Sequence, residues 1–191
     1  MRLTAGLERK LRSFERLLRE RAMPAGWISR ADEDRLWTRH ILDSLRTSAC
    51  LVPADHQVAD LGSGVGLPGI PLALAEPDRR FSLIERSSPK AGFLELVVEE
   101  LKLQNVSVEP RAIQDVDSAV DVCVARALAG PLQSWRLARG LLGSRGRLLY
   151  FAGRSWDDSA FASRMGGEVS AQVCVTGRFP WQGPIVMMMS L

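Results

Sequence analysis

Histidine and cysteine are scarce in this 191-residue chain, and each scarcity removes a class of chemistry. Only His40 and His56 are present, sixteen positions apart, which argues against a His-rich metal site. The three cysteines, Cys50, Cys123 and Cys174, are odd in number and far apart, which argues against a disulfide framework and against paired-cysteine metal ligation. A reducing, cytoplasmic setting and no metal are the expectations. No stretch approaches the ~18 consecutive apolar residues of a membrane-spanning helix. The opening MRLTAGLERK lacks the apolar core and small-residue cleavage site of an export signal, so no membrane partner is expected.

What is present describes an ordinary globular chain: 46% hydrophobic and 25% charged residues can build one sizeable core. The organisation read from the texture is a helical N-terminal extension over 1–52 followed by one compact unit over 53–191. The net charge of +3 is unevenly distributed. Residues 1–46 hold eleven Lys or Arg against seven Asp or Glu, while the remainder is close to neutral. A basic segment of this kind steers a polyanion such as RNA, although it is equally the composition of a solvated helix face.

Leu7, Leu11, Phe14, Leu17 and Leu18 recur every three or four positions and predict an amphipathic helix over 3–21, ended by Pro24 and Gly26. A second helix is predicted from an Asp32 N-cap to Cys50, with Leu36, Ile41, Leu45 and Ala49 turned inward. From residue 57 the pattern alternates. Strands are predicted over 57–61, 81–85, 106–108, 120–125 and 147–151, with helices over 67–75, 88–103, 131–142 and 156–164. Gly143 and Gly146 mark a turn before the fifth strand. Alternation of this kind produces parallel crossovers and an α/β sheet covered on both faces. The last two strands, over 168–176 and 183–190, are separated only by a Gly/Pro turn region, so the mostly parallel sheet is predicted to end in an antiparallel hairpin.

The segment Asp60-Leu61-Gly62-Ser63-Gly64-Val65-Gly66 places three glycines between the first strand and a helix, where a ligand can approach the backbone and the helix start. Glu85 ends the second strand at the spacing where a carboxylate reaches ribose hydroxyls. Two carboxylate oxygens accepting from two hydroxyls would orient an adenosine. Nicotinamide dinucleotides and S-adenosylmethionine (SAM) both carry one, so these residues alone leave a dehydrogenase and a methyltransferase open.

An α/β sheet closing with a hairpin resembles the Rossmann-like class I SAM-dependent methyltransferases. The continuation Leu67-Pro68-Gly69-Ile70-Pro71-Leu72 of the glycine loop resembles, more specifically, the RsmG (GidB) family. So do Arg39-His40-Ile41-Leu42-Asp43-Ser44-Leu45 before the first strand, the stretch 93–105, and Ala125-Arg126-Ala127 after the fourth strand. The resemblance implies methyl transfer from SAM to guanine N7 of small-subunit (16S) ribosomal RNA, either free or within the 30S particle. It implies SAM contacts at Gly62, Gly64, Gly66, Leu67, Glu85, Ala112, Ile113 and Arg126, with Arg126 also a candidate for positioning substrate.

Guanine N7 presents its own lone pair, so this chemistry calls for orientation rather than a general base. Arg126 is read either as a ligand of base or phosphate or as the partner of Asp43. Ile113 departs from the resemblance, standing where many members carry Glu. Gly26-Trp27-Ile28-Ser29 and Ala152-Gly153-Arg154 depart as well, with Arg154 displaced from the family's lysine. Trp27, in the basic region between two helices, is the tryptophan expected to stack on RNA. Other readings are a diverged methyltransferase acting on another RNA or a small molecule, and a SAM- or RNA-binding module without turnover. A monomer is expected for a chain of this size.

Overall fold

Thr4 accepts a hydrogen bond from the Leu7 amide at 3.2 Å and opens α1 (Ala5–Leu17), whose inner face buries Leu11, Phe14 and Leu17. The computed structural model describes residues 3–157, 161, 169–177 and 179–191. After α1 the helix widens into a π turn, Leu18–Ala22. Helical structure resumes at Arg30, capped by Ser29 three positions earlier than the expected Asp32. It runs to Cys50 through a 3-10 turn (Arg30–Arg35), a π segment (Leu36–Ile41), a short α2 (Leu42–Ser44) and a second 3-10 turn (Leu45–Cys50). Leu36, Ile41 and Leu45 point inward as their spacing requires, whereas Ala49 is exposed, because the final tight turn rotates it off the apolar stripe.

Among the described residues, seven strands form one sheet in the order β3-β2-β1-β4-β5-β7-β6. The parallel part comprises β1 (Gln57–Leu61), β2 (Arg80–Ile84), β3 (Val106–Glu109), β4 (Val120–Ala125) and β5 (Leu142–Phe151). The closing strands β6 (Val169–Val175) and β7 (Ile185–Ser190) pair antiparallel, and β7 runs antiparallel to β5. Successive side chains alternate between faces. Val58, Val122, Val124 and Leu149 cluster with residues of α3 (Gly69–Ala75). Ala59, Leu61, Cys123, Ala125 and Leu148 cluster with Trp135 and Ala138 of α5 (Pro131–Arg139).

The remaining crossover helix, α4 (Ser88–Glu100), shares a third cluster with the N-terminal helices. Leu11, Phe14 and Leu18 there meet Ile70 and Leu74 of α3 and Leu94 and Val97 of α4. The N-terminal helices therefore bury their apolar stripes against the crossover helices as well as against one another. The architecture is the expected one, a mostly parallel sheet with an antiparallel end and helices preceding it.

Several expectations are corrected. Residues 143–146 belong to β5 as a bulge: Val120 pairs with Leu142 and Val122 with Arg147, so the extra residues loop out within the strand. Cys50 and Cys174 form a disulfide with their Cα atoms 6.0 Å apart, against the reading of unpaired cysteines. Their sequence separation of 124 residues carried no information about the packing of the Leu45–Cys50 turn on β6. Cys123 is buried and free, and burial pushes its thiol far up from the ordinary range. The helix expected over 156–164 lies largely outside the described residues. Among the described residues no helix is long and apolar enough to cross a membrane.

The segment before β1 is fastened to the sheet by a buried ion pair. Arg147 of β5 forms a two-point salt bridge with Asp55, whose carboxylate also accepts from the Val52 amide at 2.7 Å. Next to it, Asp121 accepts from the amides of His56 and Gln57, which sets the start of β1. Removing one charge of a buried pair strands the other. Asp55→Asn is therefore expected to destabilise the fold by about 3 kcal/mol, read as a lowered midpoint in chemical or thermal unfolding.

Candidate functional site

At the carboxyl end of β1 the chain turns through Gly62 and Gly64, with φ of +67° and +59°. A Cβ at Gly62 would come within 2.6 Å of the terminal methyl of Leu128, which would have to shift, and the positive φ itself favours glycine. Gly64 differs: nothing lies nearer than 3.9 Å to the corresponding point, so its face is open. The loop is braced from within. Ser63 donates to the Asp60 carbonyl at 3.0 Å, and its own carbonyl accepts from Gly66 and Leu67 at 2.8 and 3.3 Å. The Gly69 amide donates to Asp60 Oδ2 at 3.0 Å, and Ile70 bonds back to Gly66. The helix start was expected to offer free amides to a ligand. Those of Gly66, Leu67, Gly69 and Ile70 are instead spent inside the loop.

Glu85, just past β2, completes the brace. Its Oε2 accepts from the Gly64 amide and its Oε1 from the Ser87 amide, both at 2.8 Å. Each carboxylate oxygen has two lone pairs, so both retain capacity for a hydroxyl. Gly62, Gly64, Leu67, Glu85, Ala112, Ile113 and Arg126 all line one cavity of about 970 Å³ at the carboxyl edge of the sheet. This is where open α/β folds take ligands, and the volume suits a nucleoside-sized one. Gly66 is not on the wall: it points inward, where a Cβ would meet Ile70 and Leu94. The residues present fit an adenosyl group, with an acidic diol acceptor, an open glycine face and an apolar wall at Ala112 and Ile113.

Three cavity cations, Arg86, Lys90 and Arg111, were missed in the sequence. The signal was present: Arg86 adjoins Glu85, and Lys90 lies in the first turn of α4. Trp27 also borders the cavity, yet its ring packs edge-on against Phe93 at 5.9 Å, so one side of it belongs to the core.

Arg126 emerges from β4 onto the N-terminal helices. Its Nη2 donates to the Arg39 carbonyl at 2.8 Å and lies 3.4 Å from Asp43 Oδ2. Its Nη1 donates to the His40 carbonyl at 3.2 Å and the Ser44 hydroxyl at 3.3 Å. Ala127, the next residue, takes φ +53°, a sparsely populated conformation for alanine that turns the chain away immediately after this contact. Burial lowers the Arg126 pKa and Asp43 opposes that shift. His40 borders the cavity too, and burial, with Arg126 adding to it, lowers its pKa and favours the neutral ring. Its Nε2 lies 3.6 Å from Asp32, too long for a hydrogen bond.

Asp60 lies buried beneath the loop, and burial pushes its carboxyl up to about 7 against the opposing bond from Gly69. The folded chain thus keeps this proton up to about pH 7, whereas the unfolded chain releases it near the ordinary carboxyl value of 3.8. Stability from this group is complete below the lower value and is lost as pH rises through the higher one. Asp60→Asn, which cannot ionise, is expected to gain thermal stability relative to the parent as pH rises across that window. Parallel unfolding midpoints over the pH series would contradict this.

Residues 7–171 match the family described as rRNA small subunit methyltransferase G, GidB. The Ribosomal RNA small subunit methyltransferase G of Acidothermus cellulolyticus is 40% identical over 156 residues, covering 81% of this chain and 63% of that protein. The protein of the same name from Acidiphilium cryptum is 37% identical over 175 residues, covering 90% of this chain and 78% of that one. This chain therefore spans under two thirds of the first relative's length. Among solved structures, the ribosomal protein L11 methylase of Lactobacillus delbrueckii superposes with TM-score 0.61 at 15% identity, covering 78% of this chain and 77% of that one. The mitomycin 7-O-methyltransferase MmcR gives 0.64 at 16%, covering 93% and 60% respectively. At these identities the structural likenesses establish the fold alone. With the family match over most of its length and the glycine loop, Glu85 and Arg126 gathered on one cavity, the chain belongs to the rRNA small subunit methyltransferase G (GidB) family.

Proposed function

We propose that this chain transfers a methyl group from SAM to N7 of a guanine in small-subunit ribosomal RNA, and that it does so in the cytoplasm. The observation carrying the proposal is the convergence of the family's glycine loop and Glu85 with Arg126 on one cavity. SAM supplies a methyl carbon made electrophilic by its sulfonium. The N7 lone pair forms the new C–N bond as the C–S bond breaks, and no proton need leave N7. A general base is therefore not required.

The chain's own residues bind and orient. Glu85 accepts from the two ribose hydroxyls with the lone pairs its backbone bonds leave free. Gly62, Gly64 and Leu67 let the ligand lie close to the backbone, and Ala112 and Ile113 form the apolar wall for the adenine. With apolar Ile113 in the position where many relatives carry Glu, polar recognition of the adenine falls to backbone groups. Gly66 acts indirectly by keeping the loop seated on Ile70. Arg126 is a positioning residue, because its terminal nitrogens are engaged by the helix it fastens over the cavity.

The neighbouring cavity, which shares Gln133 with the first and is walled by Tyr150 and Trp156, offers aromatic ring surface for the substrate base. Holding the reacting atoms in line supplies several of the ~7 to 11 kcal/mol available from orientation.

The test is incubation with labelled SAM and small ribosomal subunits from a strain lacking the protein, followed by mapping of the modified base. Label at guanine N7 is expected, and absence of label despite SAM binding would overturn the proposal. Glu85→Gln removes the charge from the diol acceptor and is expected to weaken SAM binding by about tenfold, measured by titration calorimetry.

A further inference from the structure

The loop joining β6 to β7 carries an aromatic pair whose apolar surface the fold does not use. The rings of Phe179 and Trp181 lie parallel with centroids 4.7 Å apart. They remain 54% and 41% exposed. Core aromatics are enclosed, and a pair left to pack in solvent leaves an apolar face available to something else. Of the chain's tryptophans, Trp27 packs on Phe93, Trp37 lies under the Arg12 guanidinium, and Trp135 is buried in the core. Trp181 is thus a better stacking surface than the Trp27 singled out in the sequence.

The loop carrying the pair is tied by hydrogen bonds to elements that border the site. The Gln182 amide donates to the Phe179 carbonyl at 2.9 Å, closing the turn. Gln182 Nε2 donates to Asp43 Oδ1 at 2.8 Å, and Asp43 also faces Arg126 on the cavity wall. Arg46 donates to the carbonyls of Thr176 and Gly183 at 3.1 and 2.9 Å. From the other side, Arg154 donates to the Pro180 carbonyl at 3.0 Å while its side chain remains exposed. Arg154 adjoins Gly153, which lines the cavity walled by Tyr150 and Trp156. Because β7 runs antiparallel to β5, this loop stands at the same carboxyl edge of the sheet as both cavities.

An exposed pair of stacked aromatic faces with an arginine beside it has the chemistry that receives an unpaired nucleobase: the ring stacks, and the cation meets the flanking phosphate. We propose that Phe179 and Trp181 form a stacking platform for an unpaired base of the RNA substrate next to the nucleotide in the cavity, with Arg154 as its phosphate contact. This rests on the RNA reading of the preceding section and adds a specific surface to it. The occupant is RNA rather than protein because the surface pairs sequence-tolerant ring faces with positive charge. The platform contributes to substrate affinity and not to SAM binding, since neither ring lines the SAM cavity.

The test compares the parent chain with Phe179→Ala/Trp181→Ala and with the aromatic-retaining Phe179→Tyr/Trp181→Phe. The primary readout is binding to protein-free small-subunit ribosomal RNA, which requires no turnover. The alanine variant is expected to weaken RNA binding about tenfold or more, with SAM affinity and unfolding midpoint unchanged, and the aromatic variant is expected to bind like the parent. Equal RNA binding by parent and alanine variant overturns the platform, as does an absence of RNA binding by the parent. A loss seen with assembled subunits but not with protein-free RNA overturns it in favour of a ribosomal protein contact. Methyl incorporation, scored separately, judges the methyl-transfer reading, so the two can fail independently.

Discussion

A buried guanidinium needs partners on every side, and the arrangement of this site depends on how Arg126 finds them. Leaving β4 at the sheet edge, it takes the carbonyls of Arg39 and His40, the hydroxyl of Ser44 and the charge of Asp43. These groups belong to a helical run that is distant in sequence. Asp43 in turn accepts from Arg46 and Gln182, so one carboxylate joins the N-terminal helices, the sheet edge and the closing hairpin. The wall of the cavity is an outcome of satisfying a charge. Arg39, His40 and Asp32 border the cavity because the helix that answers Arg126 brings them there.

The two acidic residues of the glycine loop follow a related logic with different results. Asp60 is fully enclosed, accepts the Gly69 amide, and has its carboxyl pushed up to about 7 by burial. Glu85 lies at the cavity surface, where its two amide partners leave lone pairs on both oxygens unused. The first carboxyl braces the loop, and the second braces it while still facing a ligand. Their difference is one of depth below the same loop.

Much of the fold was legible in the sequence. The period of Leu11, Phe14 and Leu18, the short apolar runs at 57–61 and 120–125, and the Pro131 helix start all carry local signals that physical rules read directly. The hairpin ending was legible from the lack of room for a helix between the last strands. The β5 bulge was not, because Gly143 and Gly146 have the same composition in a turn as in a distorted strand. The Cys50–Cys174 contact was not legible either, since spacing along the chain says nothing about which turn packs on which strand.

The sequence by itself determined the alternating fold, the glycine loop with its acidic partner, and the resemblance that the family match later established. It did so because periodicity, turn chemistry and motif spacing are properties of neighbouring residues. Only the tertiary structure decided that the loop amides are consumed internally, that Arg126 is engaged by backbone carbonyls, and that Trp181 rather than Trp27 presents an open ring. Those outcomes depend on which groups compete for each hydrogen bond and each buried surface, and the competitors are brought together only when distant segments pack.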